Sequence, residues 1–167
     1  MTDRENGNDG APRLAFVHID DVPAQEVVAQ LHGEERVGVH LKFLEWTPSR
    51  MVAYTRYDPG LILERHGHSS DAVIFIIGGH LTVGDRECPP GTLIVLERGA
   101  VFGPLVAGAD GCTFLECYGD DVTPVPADKA EYYRLLAERG IERLPNPVFV
   151  APPGAPAVDR GEGDNWS

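Results

Sequence analysis

The sequence predicts an all-β protein, an antiparallel sandwich or small barrel, followed by one helix near the C-terminus. Three observations predict it. Short apolar runs recur at close intervals, they are rich in Val, Ile, Thr and aromatic residues, and Gly- or Pro-based turn signals separate them. The 167 residues are enough for one domain with a real core, and the 43% hydrophobic and 24% charged content is typical of a globular protein.

The strands are expected within eight apolar runs. These are Leu14–Ile19, Val37–Phe43, Met51–Tyr57, Leu61–Leu63, Ala72–Ile77, Leu81–Val83, Leu93–Leu96 and Thr113–Cys117. The turn signals between them are Asp58-Pro59-Gly60, Gly78-Gly79, Gly84-Asp85, Pro89-Pro90-Gly91 and residues 108–111. Because no segment repeats, we expect a single barrel.

One helix is predicted after the strands, over residues 128–139. Asp128 and Glu131 have the spacing of a capping box, in which Asp128 accepts from the first-turn amides. Tyr132, Leu135 and Leu136 form an apolar stripe at helical spacing, and Gly140 stands where a C-terminal cap belongs. This pattern predicts a helix packed on the outside of the sheet.

Composition divides the chain into three parts. Residues 1–12 are polar and Gly-rich and are expected to form a flexible tail, and residues 13–144 form the single domain. Residues 145–167 are Pro-rich and are expected to lie extended on the surface or to be disordered. Since there is neither a membrane-spanning apolar run nor a signal-peptide core, we expect a cytoplasmic protein.

The charge balance disfavours two classes of partner. Fourteen basic residues face 26 acidic ones, which gives a formal net charge of −12. Nucleic acids and anionic membranes both require basic groups, so neither is expected to bind. Cys88, Cys112 and Cys117 are odd in number and lack C-x-x-C spacing, so neither a disulfide framework nor a zinc ribbon is indicated.

The chemistry is expected at His66-Gly67-His68. Alternate side chains of a strand face the same way, so residues i and i+2 present two imidazoles to one side. Such a pair is a natural chelate for a metal ion, and a His near its usual pKa of about 6.5 can also transfer protons without a metal.

The spacing of these residues resembles the cupin superfamily. Gly60, His66, His68 and Gly79 fall on its first motif, G-x5-H-x-H-x(3,4)-E-x6-G, and Gly91 and Gly99 fall on its second, G-x5-P-x-G-x2-H-x3-N. The resemblance covers roughly residues 40–120 and implies a cupin-type jelly-roll β-barrel. It is nearest to small single-domain bacterial cupins, some of which are metal-dependent dioxygenases and some sensor or binding domains.

The chain departs from the family's three-His, one-Glu ligand set. The Glu position falls on Ala72, or on Asp71 if counted from Gly78, and the third His position falls on Phe102. A divalent metal (Fe, Mn, Zn or Ni) would therefore be held by His66, His68 and Asp71, provided that a bulge turns Asp71 inward. Glu97 is a second candidate carboxylate.

Without a metal, the mouth of the barrel is predicted to be a small-molecule pocket. His66, His68, Tyr54, Phe102 and Glu97 would line it, and the two His residues would be catalytic. Glu116 is expected to point to solvent, as charged side chains usually do.

Two classes of function follow from the sequence. The chain is an enzyme of the oxygenase, isomerase or cyclase type that acts on a small carbonyl or aromatic compound, or it is a binding or sensor domain that converts nothing. We also expect a homodimer in which the strand around Leu14–Ile19 pairs across a two-fold axis.

Overall fold

The computed structural model describes residues 12–158 and confirms an all-β fold with one C-terminal α-helix. The strands are β1 (Gln25–His32), β2 (Glu35–Thr47), β3 (Arg50–Tyr57), β4 (Ile62–Leu63), β5 (His66–His68), β6 (Ala72–Val83), β7 (Arg86–Cys88), β8 (Leu93–Leu96), β9 (Val101–Phe102), β10 (Leu105–Tyr118), β11 (Pro124–Pro126) and β12 (Ile141–Arg143). The helix α1 spans Ala130–Arg139, and a 3₁₀ turn spans Ile19–Asp21.

The strands form two antiparallel sheets of a jelly roll. The larger has the order β12-β1-β2-β3-β10-β6-β7, with β4 also paired to β10 and β8 to β6; the smaller has the order β11-β5-β9. Within the described residues the two sheets are packed together and are not hydrogen-bonded into one closed barrel. The His68 ring of the small sheet lies 4.5 Å from the Tyr118 ring of the large one, centroid to centroid.

The core lies between the sheets because side chains alternate along each strand. Ala72, Ile74 and Ile76 of β6 are buried, whereas the intervening Val73 and Phe75 are exposed. The same alternation buries Phe114 of β10, whose ring meets Tyr57 of β3 edge-on at 4.9 Å.

The strand predicted at Leu14–Ile19 is wrong. Residues 13–18 form no strand, and Leu14 and Phe16 are largely exposed. The first strand is Gln25–His32, a less apolar segment that pairs with both β2 and β12. An apolar run forms a strand only where a neighbouring strand is available to pair with it. The local composition does not indicate whether such a neighbour exists.

The helix ends where predicted and begins two residues later. The Asp128 carboxylate accepts a hydrogen bond from the Ala130 N–H (3.0 Å), which places Asp128 just before the helix. Gly140 has a φ of 63° and donates its N–H to the carbonyls of Leu136 and Ala137, so it caps the C-terminus as predicted. Tyr132 and Leu136 are buried against Ile62 of β4.

The Pro-rich segment after β12 is attached to the large sheet. The Leu144 N–H donates to the Ala29 carbonyl (3.0 Å). The Gln25 amide bonds the Val150 backbone twice, donating to its carbonyl (2.9 Å) and accepting from its N–H (2.7 Å). Phe149 is buried, with its ring 5.2 Å from that of Phe43. Residues 144–150 therefore add to the core.

Two predictions fall on residues that the structure does not describe. The N-terminal tail 1–12 lies outside the described residues except for residue 12, and so do residues 159–167 of the C-terminal tail. Within residues 12–158, none of the helices has the length and apolar character that a membrane span requires.

Candidate functional site

His66 and His68 lie side by side on the central strand of the small sheet and face the interior. Each is only 4% exposed, and their ring centroids are 5.1 Å apart at an interplanar angle of 84°. Gly67 between them faces the other way, where a Cβ would come within 2.5 Å of the Ala100 carbonyl oxygen. The glycine thus lets β5 approach the neighbouring chain closely while both imidazoles point inward.

Hydrogen bonds to backbone carbonyls orient both rings. The Nδ1 atom of His66 lies 2.8 Å from the Glu64 carbonyl oxygen, and Nδ1 of His68 lies 3.4 Å from that of Val122. A carbonyl can only accept, so in each ring Nδ1 carries the proton and Nε2 keeps its lone pair. The Nε2 atom of His68 is buried and has no hydrogen-bond partner among the described residues.

Burial keeps both imidazoles uncharged. Removal from water lowers the pKa of His66, and it lowers that of His68 to about 3, with the neighbouring His66 acting in the same direction. At neutral pH the site therefore presents two neutral rings whose Nε2 atoms are acceptors.

Two aromatic rings flank the His pair. The Phe102 ring of β9 is 5.1 Å from His66, and the Tyr118 ring of β10 is 4.5 Å from His68, centroid to centroid. Phe102 pairs with His66 in the β5–β9 register, so it occupies the position predicted for it beside the pair. The imidazoles are thus enclosed by apolar surface that carries one phenol.

A buried carboxyl group extends the site across the large sheet. Glu116 is bonded by the Thr55 hydroxyl (2.5 Å) at one oxygen and by the Tyr118 hydroxyl (2.6 Å) at the other. Burial raises the pKa of Glu116 and raises that of Tyr118 well above 10. The result is a chain of hydrogen-bonded polar groups that ends at the ring against His68.

The prediction that Glu116 faces solvent is wrong, because Glu116 is buried. It lies at i+2 from Phe114 and i−2 from Tyr118, both of which face the core, and strand parity therefore points it inward. Residues 113–118 are apolar apart from Thr113 and Glu116, which lie on opposite faces of the strand. The sequence therefore did not show whether the odd-numbered or the even-numbered side chains face the core.

Glu64 is a second buried acid that sequence reasoning missed. Its carboxylate lies 2.9 Å from the Lys129 ammonium, at the N-terminus of α1. This ion pair ties the helix to the segment that leads into β5, and the Glu64 carbonyl accepts the His66 proton. Glu64 follows the buried strand β4 directly, but no local pattern connects it with Lys129, 65 residues later.

The structure does not bring three of the predicted residues to the His pair. Asp71 is exposed and its carboxylate accepts the Arg98 N–H (2.8 Å), and Glu97 is exposed in the same turn. Tyr54 points to the opposite side of β3, into a shallow outer pocket of about 250 Å³. No bulge turns Asp71 inward, so the parity of the strand keeps it outside.

The donors present do not fit the metal centre of three His and one Glu that the cupin fold implies. Within residues 12–158, no group of three or more His, Cys, Asp or Glu side chains is placed to hold a metal ion. Phe102 stands at the third His position and offers no ligand atom. The site consists of two imidazoles and the buried acid Glu116 beyond Tyr118.

Comparison with known proteins agrees with the fold. The family model of the ChrR cupin-like domain matches residues 15–120, more than half of the chain. The polyketide cyclase RemF from Streptomyces resistomycificus is 20% identical, with 77% of this chain and 97% of that chain covered and a TM-score of 0.56. KdgF from Halomonas sp. is 21% identical, with 64% and 94% covered and a TM-score of 0.52.

A third solved structure is an RmlC-like cupin from Shewanella frigidimarina NCIMB 400. It is 14% identical, with 63% of this chain and 89% of that chain covered and a TM-score of 0.52. No curated protein matches the chain at a significant level. At these identities the solved structures show a shared fold.

Proposed function

The chain belongs to the ChrR cupin-like domain family, and from that premise we propose that it binds a small organic molecule between its two sheets, at His66 and His68. One observation carries the proposal: the Nε2 atom of His68 is buried and has no hydrogen-bond partner among residues 12–158. Buried polar atoms are normally bonded, and an exception in a native fold calls for a ligand or a water molecule.

The protonation of His68 restricts the chemistry of the ligand. Because Nδ1 carries the proton, Nε2 can only accept, so the ligand presents a hydroxyl or N–H group rather than a bare carbonyl. The Phe102 and Tyr118 rings flank the pair and favour a flat, apolar body. A phenol or an enol combines both features and carries no charge into this low-dielectric site.

Binding is better supported than turnover by the His pair. A ring with a pKa of about 3 is a weak base at neutral pH, and general-base catalysis is most efficient when the pKa lies near the working pH. In the part of the chain that the structure describes, no third ligand side chain joins the two imidazoles, so the metal-dependent dioxygenase or isomerase expected from the resemblance is not favoured either.

The second candidate is an enzyme without a metal, and the observation in its favour is Glu116. A buried acid with a raised pKa, bonded to Tyr118 beside the His pair, is the kind of perturbed group that clusters in active sites. Conversion of a bound enol or phenol, followed by mass spectrometry, distinguishes this function from binding alone.

The binding function is tested by NMR of protein labelled with ¹⁵N in its histidines. Phenol is titrated in, and the Nε2 resonance of His68 is followed in long-range ¹H–¹⁵N spectra. We expect that resonance to shift as a hydroxyl donates to it, and the binding to be lost in His68→Phe. His80→Phe is the matched control, because His80 is a half-buried histidine on β6 that lies outside the pair. Equal binding to His68→Phe would contradict the proposal.

Elemental analysis tests the metal alternative separately. Protein purified without a His tag is assayed for Fe, Mn, Zn and Ni, and we expect well under one equivalent of each. One equivalent that disappears in the His66→Ala, His68→Ala double variant would instead support the metal-dependent enzyme.

A further inference from the structure

A pocket on the outer side of the large sheet is lined by basic side chains. We call it the outer pocket; it has a volume of about 250 Å³ and is lined by Ala24, His40, Lys42, Tyr54 and Arg56. In the register of β2 and β3, His40 lies opposite Arg56 and Lys42 lies opposite Tyr54. Residues i and i+2 of a strand share a face, so these four side chains form a square on one face of the sheet. The sheet separates this square from the His pair.

One carboxylate holds two of the four side chains in place. Oδ2 of Asp58 lies 2.9 Å from Nε2 of His40 and accepts the Gly38 N–H at 2.9 Å. Oδ1 of Asp58 accepts from Nη2 of Arg56 at 3.0 Å. Asp58 thus fixes the positions of His40 and Arg56 before any ligand arrives. Such preorganisation reduces the side-chain entropy that is lost on binding.

The outer pocket carries an excess of positive charge on a strongly acidic chain. Lys42 and Arg56 are cationic, and Asp58 pairs with Arg56 alone. Among the described residues, Lys42 forms no ion pair and donates to a neutral acceptor, the Ile19 carbonyl, at 3.0 Å. An ammonium has three N–H donors and a guanidinium five, so both side chains keep donors for a ligand. On a chain with a net charge of −12, this pocket is a local point of attraction for an anion.

We propose that the outer pocket binds a small aromatic carboxylate, with the carboxylate between Lys42 and Arg56 and the ring against Tyr54. A guanidinium is planar and can donate two parallel N–H bonds to one carboxylate. The Tyr54 ring offers a flat apolar surface against which a second ring can stack. The volume of about 250 Å³ lies just below the range of pockets for drug-sized ligands, about 300–1,000 Å³, and therefore suits a molecule with a single ring.

The charge of the pocket and of the whole chain favours a carboxylate over a phosphate. Glu26, which lies opposite His40 in the β1–β2 register, is bonded by Arg36 at 2.7 Å, so that pair adds no net charge. With His40 uncharged, the pocket has one positive charge in excess, which matches a single carboxylate. A phosphate ester carries a charge of about −1.5 to −2 near neutral pH. The net charge of −12 repels such a group more strongly than it repels a monoanion.

The test is calorimetric titration of the full chain with benzoate at low ionic strength, with benzamide as the uncharged control ligand. We expect saturable binding of benzoate with a Kd of about 0.1–1 mM and no binding of benzamide. Arg56→Gln and Lys42→Met should each weaken benzoate binding by about tenfold, because each removes one charged contact. Arg50→Gln is the matched control and should bind as the wild type does. Arg50 is an exposed arginine of the same strand that pairs with Glu45 and lies outside the outer pocket.

A further variant separates the outer pocket from the site between the sheets. His68→Phe should leave benzoate binding unchanged, because ionised benzoate has no donor for the Nε2 atom of His68. The circular dichroism spectrum checks the fold of Lys42→Met, and Arg56 is exposed, so Arg56→Gln tests the pocket without disturbing the core.

Three results would overturn the proposal. The first is no saturable binding of benzoate up to about 10 mM, and the second is equal binding of benzamide. The third is wild-type affinity in both Arg56→Gln and Lys42→Met, whether or not His68→Phe loses binding. Inorganic phosphate that binds more tightly than benzoate would contradict the assignment of a carboxylate.

Discussion

The two faces of the sheet formed by β3, β10 and β6 reverse the usual distribution of polarity. The inner face buries Thr55, Glu116 and Tyr118 next to the His pair, while the outer face exposes Val73 and Phe75. Buried polar groups cost free energy unless they are bonded, and exposed apolar groups forgo the gain of burial. The inner face therefore holds the bonded polar groups of the candidate site, whereas the outer face of β6 carries apolar side chains that the chain itself does not bury.

The difference also separates two kinds of position. Inner-face residues are buried and bonded within the chain, so their substitution should change the free energy of unfolding strongly. Exposed outer-face residues bury little surface within the chain, so their substitution should change the free energy of unfolding much less. The following predictions, from the largest effect to the smallest, break or sharpen this contrast.

The largest expected effect is an acid destabilisation that depends on His68. The unfolded chain binds a proton on this ring near pH 6.5, whereas the native site does so only near pH 3. The stability contributed by the neutral ring is therefore complete above pH 6.5 and is lost as the pH falls toward 3, on the order of 5 kcal/mol in total. Urea unfolding of the wild type and of His68→Phe over this range should show a steeper acid loss in the wild type. Parallel pH profiles would show that the site is hydrated.

The second effect concerns the aromatic cluster that closes the inner face. Phe149 is 8% exposed, with its ring 5.2 Å from Phe43 and 6.3 Å from Trp46. Phe149→Ala should lower the free energy of unfolding by about 3 kcal/mol, the usual cost of emptying a buried aromatic site. The adjacent Val148→Ala, at an exposed position, should change it by less than about 0.5 kcal/mol. Similar values for the two variants would mean that residues 144–150 do not belong to the core.

The third effect is a pH dependence of opposite sign at Glu116. Its native pKa is raised, so the native chain holds this proton after the unfolded chain has lost it, and the wild type loses stability as the pH rises above about 4.5. Glu116→Gln cannot ionise. It should cost about 1 kcal/mol at pH 4, through weaker hydrogen bonds to Thr55 and Tyr118, and the deficit should shrink as the pH rises. A deficit that grows with pH would indicate an ionised Glu116 held by a charge.

The smallest effect is expected at the exposed carboxylates that the sequence proposed as ligands. Glu97→Gln should leave both stability and phenol binding unchanged, because the side chain is exposed in a turn. Asp71→Asn should cost at most about 1 kcal/mol, from the bond to the Arg98 N–H, with binding again unchanged. A loss of metal or of phenol binding in either variant would mean that the substituted carboxylate takes part in the site.

The sequence by itself determined the features that depend on local geometry. Strand alternation was enough to predict that His66 and His68 face the same way, and the short apolar runs with Gly-based turns were enough to predict an all-β fold of short strands. The end of α1 at Gly140 follows from one residue that adopts a positive φ without strain. In each case the governing interaction spans only a few residues, so the pattern is complete within the local sequence.

Only the tertiary structure decided which face of each strand is buried and what lies opposite. Glu116 is accommodated in the core because Thr55 of β3 and Tyr118 of its own strand supply hydroxyl groups that bond it. Tyr54 lies outside because the buried positions of β3 on either side of it are Ala53 and Thr55. Leu14–Ile19 is equally apolar but gains no partner strand. These outcomes depend on pairings between residues far apart in the chain. The entropy lost in bringing such residues together and the need to bond every buried polar group outweigh the strand propensity of any single segment.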